Sequence, residues 1–306
     1  MGLNIAVFGD IHGKLDLMYS CCKEWEENNG MRIDIVAQTG DFQTIRNEED
    51  LKFYFAPEKY RKMELIGDFA KYLPPRKDIE KDIQRDIKQM IKSQKMSEEE
   101  IKKEIEKIEE KFIAAPRFTL FIGGNHEAWN VLNSRDYGNI IAYNMEYLGR
   151  SGVCNINGID IAGISGIYSP KQYEKPLPET IDRTWGCMRK EAVDKLEERL
   201  SMIDTQPRIL LLHSWITPLS DPSIRINRQK NIPDNLFEGP VSPVLNLIKK
   251  YRPDYVFMGH MHHSYFEGIV GDVRLGEPRH LPTLLVGLSE LTEEKSEDSY
   301  RVVRIE

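Results

Sequence analysis

The stretch Asn4-Ile5-Ala6-Val7-Phe8-Gly9-Asp10-Ile11-His12-Gly13 decides how the rest of the chain is read. Asn4 to Phe8 is an apolar run of strand length, and it stops abruptly in glycine, an acid and a histidine. The same pattern is written four more times. Ile33 to Ala37 leads into Gly40-Asp41. Phe118 to Ile122 leads into Gly123-Gly124-Asn125-His126-Glu127. Ile209 to Leu212 leads into His213, and Tyr255 to Met258 into Gly259-His260-Met261-His262. Further apolar runs at Ile159 to Ile164, Thr283 to Val286 and Arg301 to Ile305 complete a set of buried strands. Helix-period stretches such as Leu15 to Glu27 and Lys190 to Ser201 lie between them. Alternation of this kind predicts a layered α/β fold.

Ligands bind at the carboxyl ends of strands in such sheets. Here five ends deliver metal-ligating side chains. Asp10 and His12 lie two residues apart, so an extended backbone points them the same way. Asp41 has two oxygens and is able to bridge two cations. Asn125 offers a neutral carbonyl oxygen, and His213, His260 and His262 offer imidazole nitrogens. Mixed nitrogen and oxygen donors suit Mn²⁺, Fe²⁺ or Zn²⁺ better than Ca²⁺. Flanking glycines let the backbone turn sharply. Glu127 is read as a carboxylate that orients an imidazole, with a surface glutamate as the plain alternative.

Taken together, the ordered set GDxHG, GD, GNHE, H and GHxH resembles the calcineurin-like metallophosphoesterase superfamily. Within it the chain is similar to the RNA lariat debranching enzymes. That resemblance rests on Gly40-Asp41-Phe42-Gln43 with Arg46-Asn47, Phe121 to Ala128, Tyr147-Leu148-Gly149, Ile161 to Tyr168 and Leu212 to Trp215. It implies a four-layer α/β/β/α sandwich holding two divalent metal ions. By matching residues, Asp10, His12, Asp41 and His262 would hold one ion, and Asp41, Asn125, His213 and His260 the other. His126 would sit beside the scissile phosphate as the catalytic side chain. The loop from Tyr137 to Gly152 would correspond to the family's lariat-recognition loop. The substrate implied is a phosphodiester, and specifically a 2′–5′ branch in RNA. Eukaryotic debranching enzymes typically carry a cysteine where this chain has Asp10, and an aspartate there is the general superfamily pattern. Two other readings compete: a phosphoesterase for small-molecule or protein phosphoesters, and a non-catalytic metal-binding scaffold.

Around this set, Arg46 is a candidate phosphate contact. Tyr143, Tyr147, Tyr168 and Trp215 are candidate base-stacking residues, and Trp129 a candidate cleft wall. His263 and His280 are read as non-ligands. The 306 residues are read as one domain, 1–306, interrupted by a helical insertion at 76–114. Within Lys77 to Phe112, isoleucines recur at three- and four-residue spacing on a highly charged background, and Ser97 with Glu100 forms a capping box. A net charge of −7 gives no support to stable duplex DNA binding. Four cysteines without a CxxC pair read as reduced thiols. No apolar run is long enough to span a membrane, and no secretory signal is read at the N-terminus, so the expected location is cytoplasmic or nuclear.

Overall fold

The computed structural model describes residues 2–56, 67–72, 114–133, 139–230, 232, 234–262, 265–270, 282–294 and 297–306. The helical insertion expected at 76–114 lies outside the described residues except for Ala114, as do His263 and His280.

The strands are β1 (Leu3–Phe8), β2 (Ile35–Gln38), β3 (Phe118–Phe121), β4 (Asn139–Ala142), β5 (Met145–Tyr147), β6 (Ser151–Ile156), β7 (Ile159–Ile164), β8 (Ile209–Leu212), β9 (Ile224–Lys230), β10 (Tyr255–Met258), β11 (Tyr265–Val270), β12 (Thr283–Gly287) and β13 (Tyr300–Ile305). They form two sheets, ordered β13-β1-β2-β3-β5-β4 and β6-β7-β8-β10-β12-β11-β9. The centre of each sheet is parallel: β1, β2, β3 and β5 in the first, β7, β8, β10 and β12 in the second. Antiparallel strands close the edges.

Alternate side chains of each strand feed two different cores. Ile5, Val7, Ala37 and Leu120 meet Ile161, Leu211, Phe257 and Val286 between the sheets. Ala6, Phe8, Val36 and Phe121 point the other way and pack with Leu15, Met18 and Cys22 of α1 (Leu15–Asn29). On the far side, Leu210, Leu212, Val256 and Met258 pack with Leu196 and Leu200 of α2 (Lys190–Met202) and with Leu245 and Ile248 of α3 (Pro243–Tyr251). The result is helix, sheet, sheet, helix, as the resemblance implies. Burial on both faces explains why the central strands read as continuous apolar runs rather than alternating ones. Each Val, Leu, Ile, Phe or Met among them contributes roughly 1.5–3 kcal/mol when fully buried.

This packing fixes two parallel strand sets face to face, with their carboxyl ends at one rim. Among the described residues, no helix is long and apolar enough to cross a membrane. The four cysteines are free thiols, Cys21 and Cys22 being buried.

Candidate metal centre

The rim gathers what the five strands end in. β1 delivers Asp10 and His12, β2 delivers Asp41, and β3 delivers Asn125 and His126; from the second sheet, β8 delivers His213, and β10 delivers His260 and His262. One ligand atom from each of Asp10, His12, Asp41 and His262 lies within 4.8 Å of all the others. On the other side of Asp41, His213 Nε2 is 3.4 Å from its Oδ1 and 3.0 Å from Asn125 Oδ1. The ring of His260 is 5.1 Å from that of His213. Asp41 therefore belongs to both groups.

Convergence is not achieved by strand alternation. His12, Asp41 and His260 have φ of 44°, 55° and 73°, a left-handed region that costs a non-glycine residue about 1–3 kcal/mol. Asp10 and His12 thus meet through a turn, not an extended pair. Hydrogen bonds hold the turns: His12 N–H donates to the Asp41 carbonyl at 3.0 Å, and His126 N–H to Asp41 Oδ1 at 2.6 Å. His260 N–H reaches both Asp10 oxygens, at 2.8 and 3.0 Å. Gly124 serves close approach rather than turning, because a Cβ there would lie 2.0 Å from Asp41 Oδ1.

Charge balance in this cluster is carried by protons. Burial pushes the Asp10 carboxyl up, but His213 and the His262 hydrogen bond more than offset it, and the group ends below its ordinary value. Asp41 is likewise buried yet held well down, chiefly by His213 and His126. Burial works against protonation of His213, but Asp41 and Asp10 raise it to about 9. His262 is raised to about 11 against burial by its bonds to Asp10 and Glu290. His260 is lowered to about 4 by burial and by His213. Asp41 Oδ2 is buried with no hydrogen-bond partner, and the Nε2 atoms of His12 and His262 face each other at 3.2 Å. Carboxylates whose charge is offset by imidazoles, together with an orphaned carboxylate oxygen, fit a divalent cation at this rim.

The side chains behind the ligands are different from those expected. His213 Nδ1–H donates to the Thr39 carbonyl at 3.0 Å, which leaves Nε2 facing the site. His262 Nδ1 is 3.2 Å from Glu290 Oε2. Glu290 also receives Lys14 Nζ at 3.3 Å and is lowered to about 2: burial opposes ionisation, and the bond from His262 outweighs it. Among the described residues Glu127 orients no imidazole. It is fully buried and accepts backbone N–H bonds from Phe42, Gln43, Thr44 and Gly124 at 2.7, 2.9, 3.2 and 3.3 Å. It fastens the turn that carries Asp41. Burial and the neighbouring Asp41 charge push it up to about 7, and the N–H bonds work in the opposite direction.

A calcineurin-like phosphoesterase family model matches residues 3–264, most of the chain. The chain belongs to the calcineurin-like phosphoesterase family. It is 32% identical to a lariat debranching enzyme of Drosophila melanogaster over 269 residues, covering 85% of this chain and 43% of that protein. To the lariat debranching enzyme of Entamoeba histolytica it is 31% identical over 284 residues, 90% of this chain and 68% of that protein. The Homo sapiens lariat debranching enzyme is 30% identical over 275 residues, 85% and 42%. The chain thus spans less than half the length of the fly and human proteins.

Of the remaining side chains singled out in this phosphoesterase chain, some lie at the rim and some do not. His126 is buried beside the candidate ligands, its ring 5.5 Å from that of His12 and 5.8 Å from that of Tyr54. Half-buried Tyr168 donates its backbone N–H to Ser214 Oγ, next to His213, and its ring meets Tyr173. Arg46 makes a two-pronged ion pair with Asp50, Nε and Nη2 each at 2.7 Å, so its geometry is that of a local bridge. Tyr143 is 56% exposed in the turn between β4 and β5. Tyr147 is corrected: it is fully buried, tilted against Phe121, with its hydroxyl 3.3 Å from Ser165 Oγ, and presents no face to a base. Trp215 is core as well, packed on Phe266 and against Gly287. Trp129 is buried under the Arg150 guanidinium, 3.8 Å from the ring centre. Residues 137–138 of the expected recognition loop lie outside the described residues; 139–152 form β4, β5 and the start of β6 rather than an open loop.

Proposed function

We propose that this chain is a two-metal phosphodiesterase that hydrolyses 2′–5′ branches in RNA. The observation that carries the reading is the shared position of Asp41, with Asp10, His12 and His262 on one side and Asn125, His213 and His260 on the other. Those residues would hold two divalent ions, Mn²⁺, Fe²⁺ or Zn²⁺, matching the borderline donor set. Such ions supply Lewis-acid charge to phosphoryl oxygens and acidify water. The named enzyme relatives support the branched-RNA substrate.

The chain's own residues do the rest. His126 stands beside His12 and is the side chain placed to give a proton to the departing 2′ oxygen, a poor leaving group. A positioned acid of this kind is worth about 10²–10⁴-fold. Its backbone N–H on Asp41 Oδ1 ties the acid to the shared ligand, so the two keep a fixed separation. Burial of Asp10, Asp41 and His213 strengthens each charge interaction that the site makes with a phosphate.

The test offers metal-loaded protein a branched 2′–5′ RNA, a linear 3′–5′ RNA and a chromogenic bis-ester. Selective cleavage of the branch is expected. Hydrolysis of the bis-ester with the branch untouched would replace this reading with a phosphoesterase for small or protein esters, to which Asp10 in the cysteine position lends support. No turnover with any divalent metal would leave a metal-binding scaffold. His126→Ala is expected to lose about 10²–10⁴-fold in turnover while binding metal normally.

A further inference from the structure

Strand β9 reads Ile224-Arg225-Ile226-Asn227-Arg228-Gln229-Lys230. It has three cationic residues and no acid, in a chain whose net charge is −7. It is also an edge strand of the second sheet. Plain alternation would set position 225 on one face and positions 228 and 230 on the other. The register is not plain. It shifts between Glu267 and Gly268, so that Ile226 pairs with Gly268 but Arg228 with Glu267. Asn227 is the extra residue of a bulge, which shifts the alternation of the positions after it by one. Positions 225, 228 and 230 consequently pair with Ile269, Glu267 and Tyr265, alternate residues of β11, and all three fall on one face.

Which face is also settled. Ile224, Phe266 and Val270 belong to the core that packs with α2 and α3, so they mark the helix side. The cationic positions share the opposite face with Glu267, whose carboxylate lies 3.6 Å from Arg301 of β13 in the first sheet. β13 is the edge of that sheet, and β9 lies one strand further out than β11. Arg225 is exposed and the Arg301 side chain is 49% exposed, so solvent reaches this ledge. Its cationic positions recur about every 6.7 Å along the strand, close to one extended nucleotide. β9 runs antiparallel to β11, which puts position 230 beside Tyr265, three residues after His262. At most ~11 Å of chain separates that pair from the metal rim.

We infer that this ledge is a track for single-stranded RNA flanking the scissile phosphate, with backbone phosphates set against positions 225, 228 and 230 and against Arg301. A positively charged groove leading to a site is how single strands are held along their backbone without sequence readout. The inference rests on the branched-RNA reading for its choice of polyanion, and its test separates the two. Binding of a fluorescent linear 3′–5′ RNA to the full, metal-loaded chain is measured by anisotropy across a salt series. The triple variant Arg225→Gln/Arg228→Gln/Lys230→Gln is expected to bind about tenfold more weakly, and its log–log salt slope to flatten by roughly 2, at ~0.7 per phosphate contact on a single strand. Glu267→Gln removes the acid that, among the described residues, shares this face, and is expected to tighten binding. Divalent-metal stoichiometry should be unchanged in both variants, because β9 carries none of the candidate metal ligands. Should the triple variant lose metal through misfolding, Glu267→Gln decides alone, since a fold defect does not tighten binding. Unaltered affinity and slope in the variants overturn the ledge, as does a wild-type chain that binds no RNA. A chain that binds RNA through β9 but spares the branch overturns the debranching reading and leaves the ledge standing.

Discussion

His262 points its Nδ1 at Glu290 Oε2, 3.2 Å away, and thereby turns its Nε2 to within 3.1 Å of Asp10 Oδ2 and 3.2 Å of His12 Nε2. The contact fixes both the tautomer and the ring angle of a residue at the end of a turn. Glu290 is itself held, because its backbone N–H donates to the His262 carbonyl at 3.1 Å and Lys14 reaches its carboxylate. Removing the charge while keeping the shape should loosen the imidazole without breaking the fold. Glu290→Gln is expected to weaken divalent metal binding by about 10–100-fold. Titration of metal into the metal-free variant measures this, and turnover should recover at saturating metal. An unchanged affinity would show that Glu290 serves Lys14 alone.

Metal uptake should be coupled to proton release. In the metal-free protein His213 and His262 are raised to about 9 and about 11, so both are cationic at neutral pH. A ligand imidazole must be neutral, so binding expels protons and strengthens as pH rises. The sign for stability runs the other way. A group raised above its ordinary 6.5 stabilises the metal-free fold fully below that value, and the contribution fades as pH climbs through about 9 and then about 11. Calorimetry in two buffers of different ionisation enthalpy at pH 7 should register the released protons. Melting in a chelator should show the midpoint falling across the alkaline range, and falling less in excess metal.

Much of this was legible in the residues themselves. The central strands announced themselves because burial on both faces made them unbroken apolar runs, and the candidate ligands because each sits just past such a run. The elements that escaped did so for the same physical reasons. β9 is an edge strand whose polar residues mask a period that the bulge at Asn227 interrupts, and the apolar run of β11 beside it is broken by Glu267-Gly268. β6 carried a readable signal, Asn157-Gly158, whose φ values of 52° and 85° suit the tight hairpin into β7. Glu290 and the Thr39 carbonyl could not be found by motif, since one is distant from every GH or GD pair and the other is backbone. Tyr147 misled because an aromatic beside a site motif is as readily core as contact, and only its tilt on Phe121 decides.

Glu127 should prove to be a residue of the fold first and of the site second. Its carboxylate receives four backbone N–H groups, three of them from the consecutive residues Phe42, Gln43 and Thr44. Gln43 has φ of 65°, so these bonds hold a segment that would otherwise relax. Glu127→Ala leaves buried donors unsatisfied at about 1–3 kcal/mol each, and a loss of at least ~3 kcal/mol is expected in denaturant unfolding. Glu127→Gln keeps one accepting oxygen and should lose less. Metal affinity should decline in the same order, because Asp41 rides on this turn. A stable Glu127→Ala protein with normal metal binding would contradict the assignment.

Gly124 gives a way to isolate Asp41. A methyl group on Gly124 would stand 2.0 Å from Asp41 Oδ1 and 2.3 Å from its backbone nitrogen, contacts that no side-chain rotation relieves at the backbone. Either the Asp41 turn or the β3 end must move. Because Asp41 lies between both ligand groups, its displacement should remove both metal sites together rather than one. Gly124→Ala is therefore expected to lose stoichiometric binding of both ions, read by elemental analysis after dialysis against the metal. Asn125→Ala, which strips a donor from the His213 side only, should retain one ion held by Asp10, His12, Asp41 and His262. If the two variants lose metal in equal measure, Asp41 is not the residue that joins the sites.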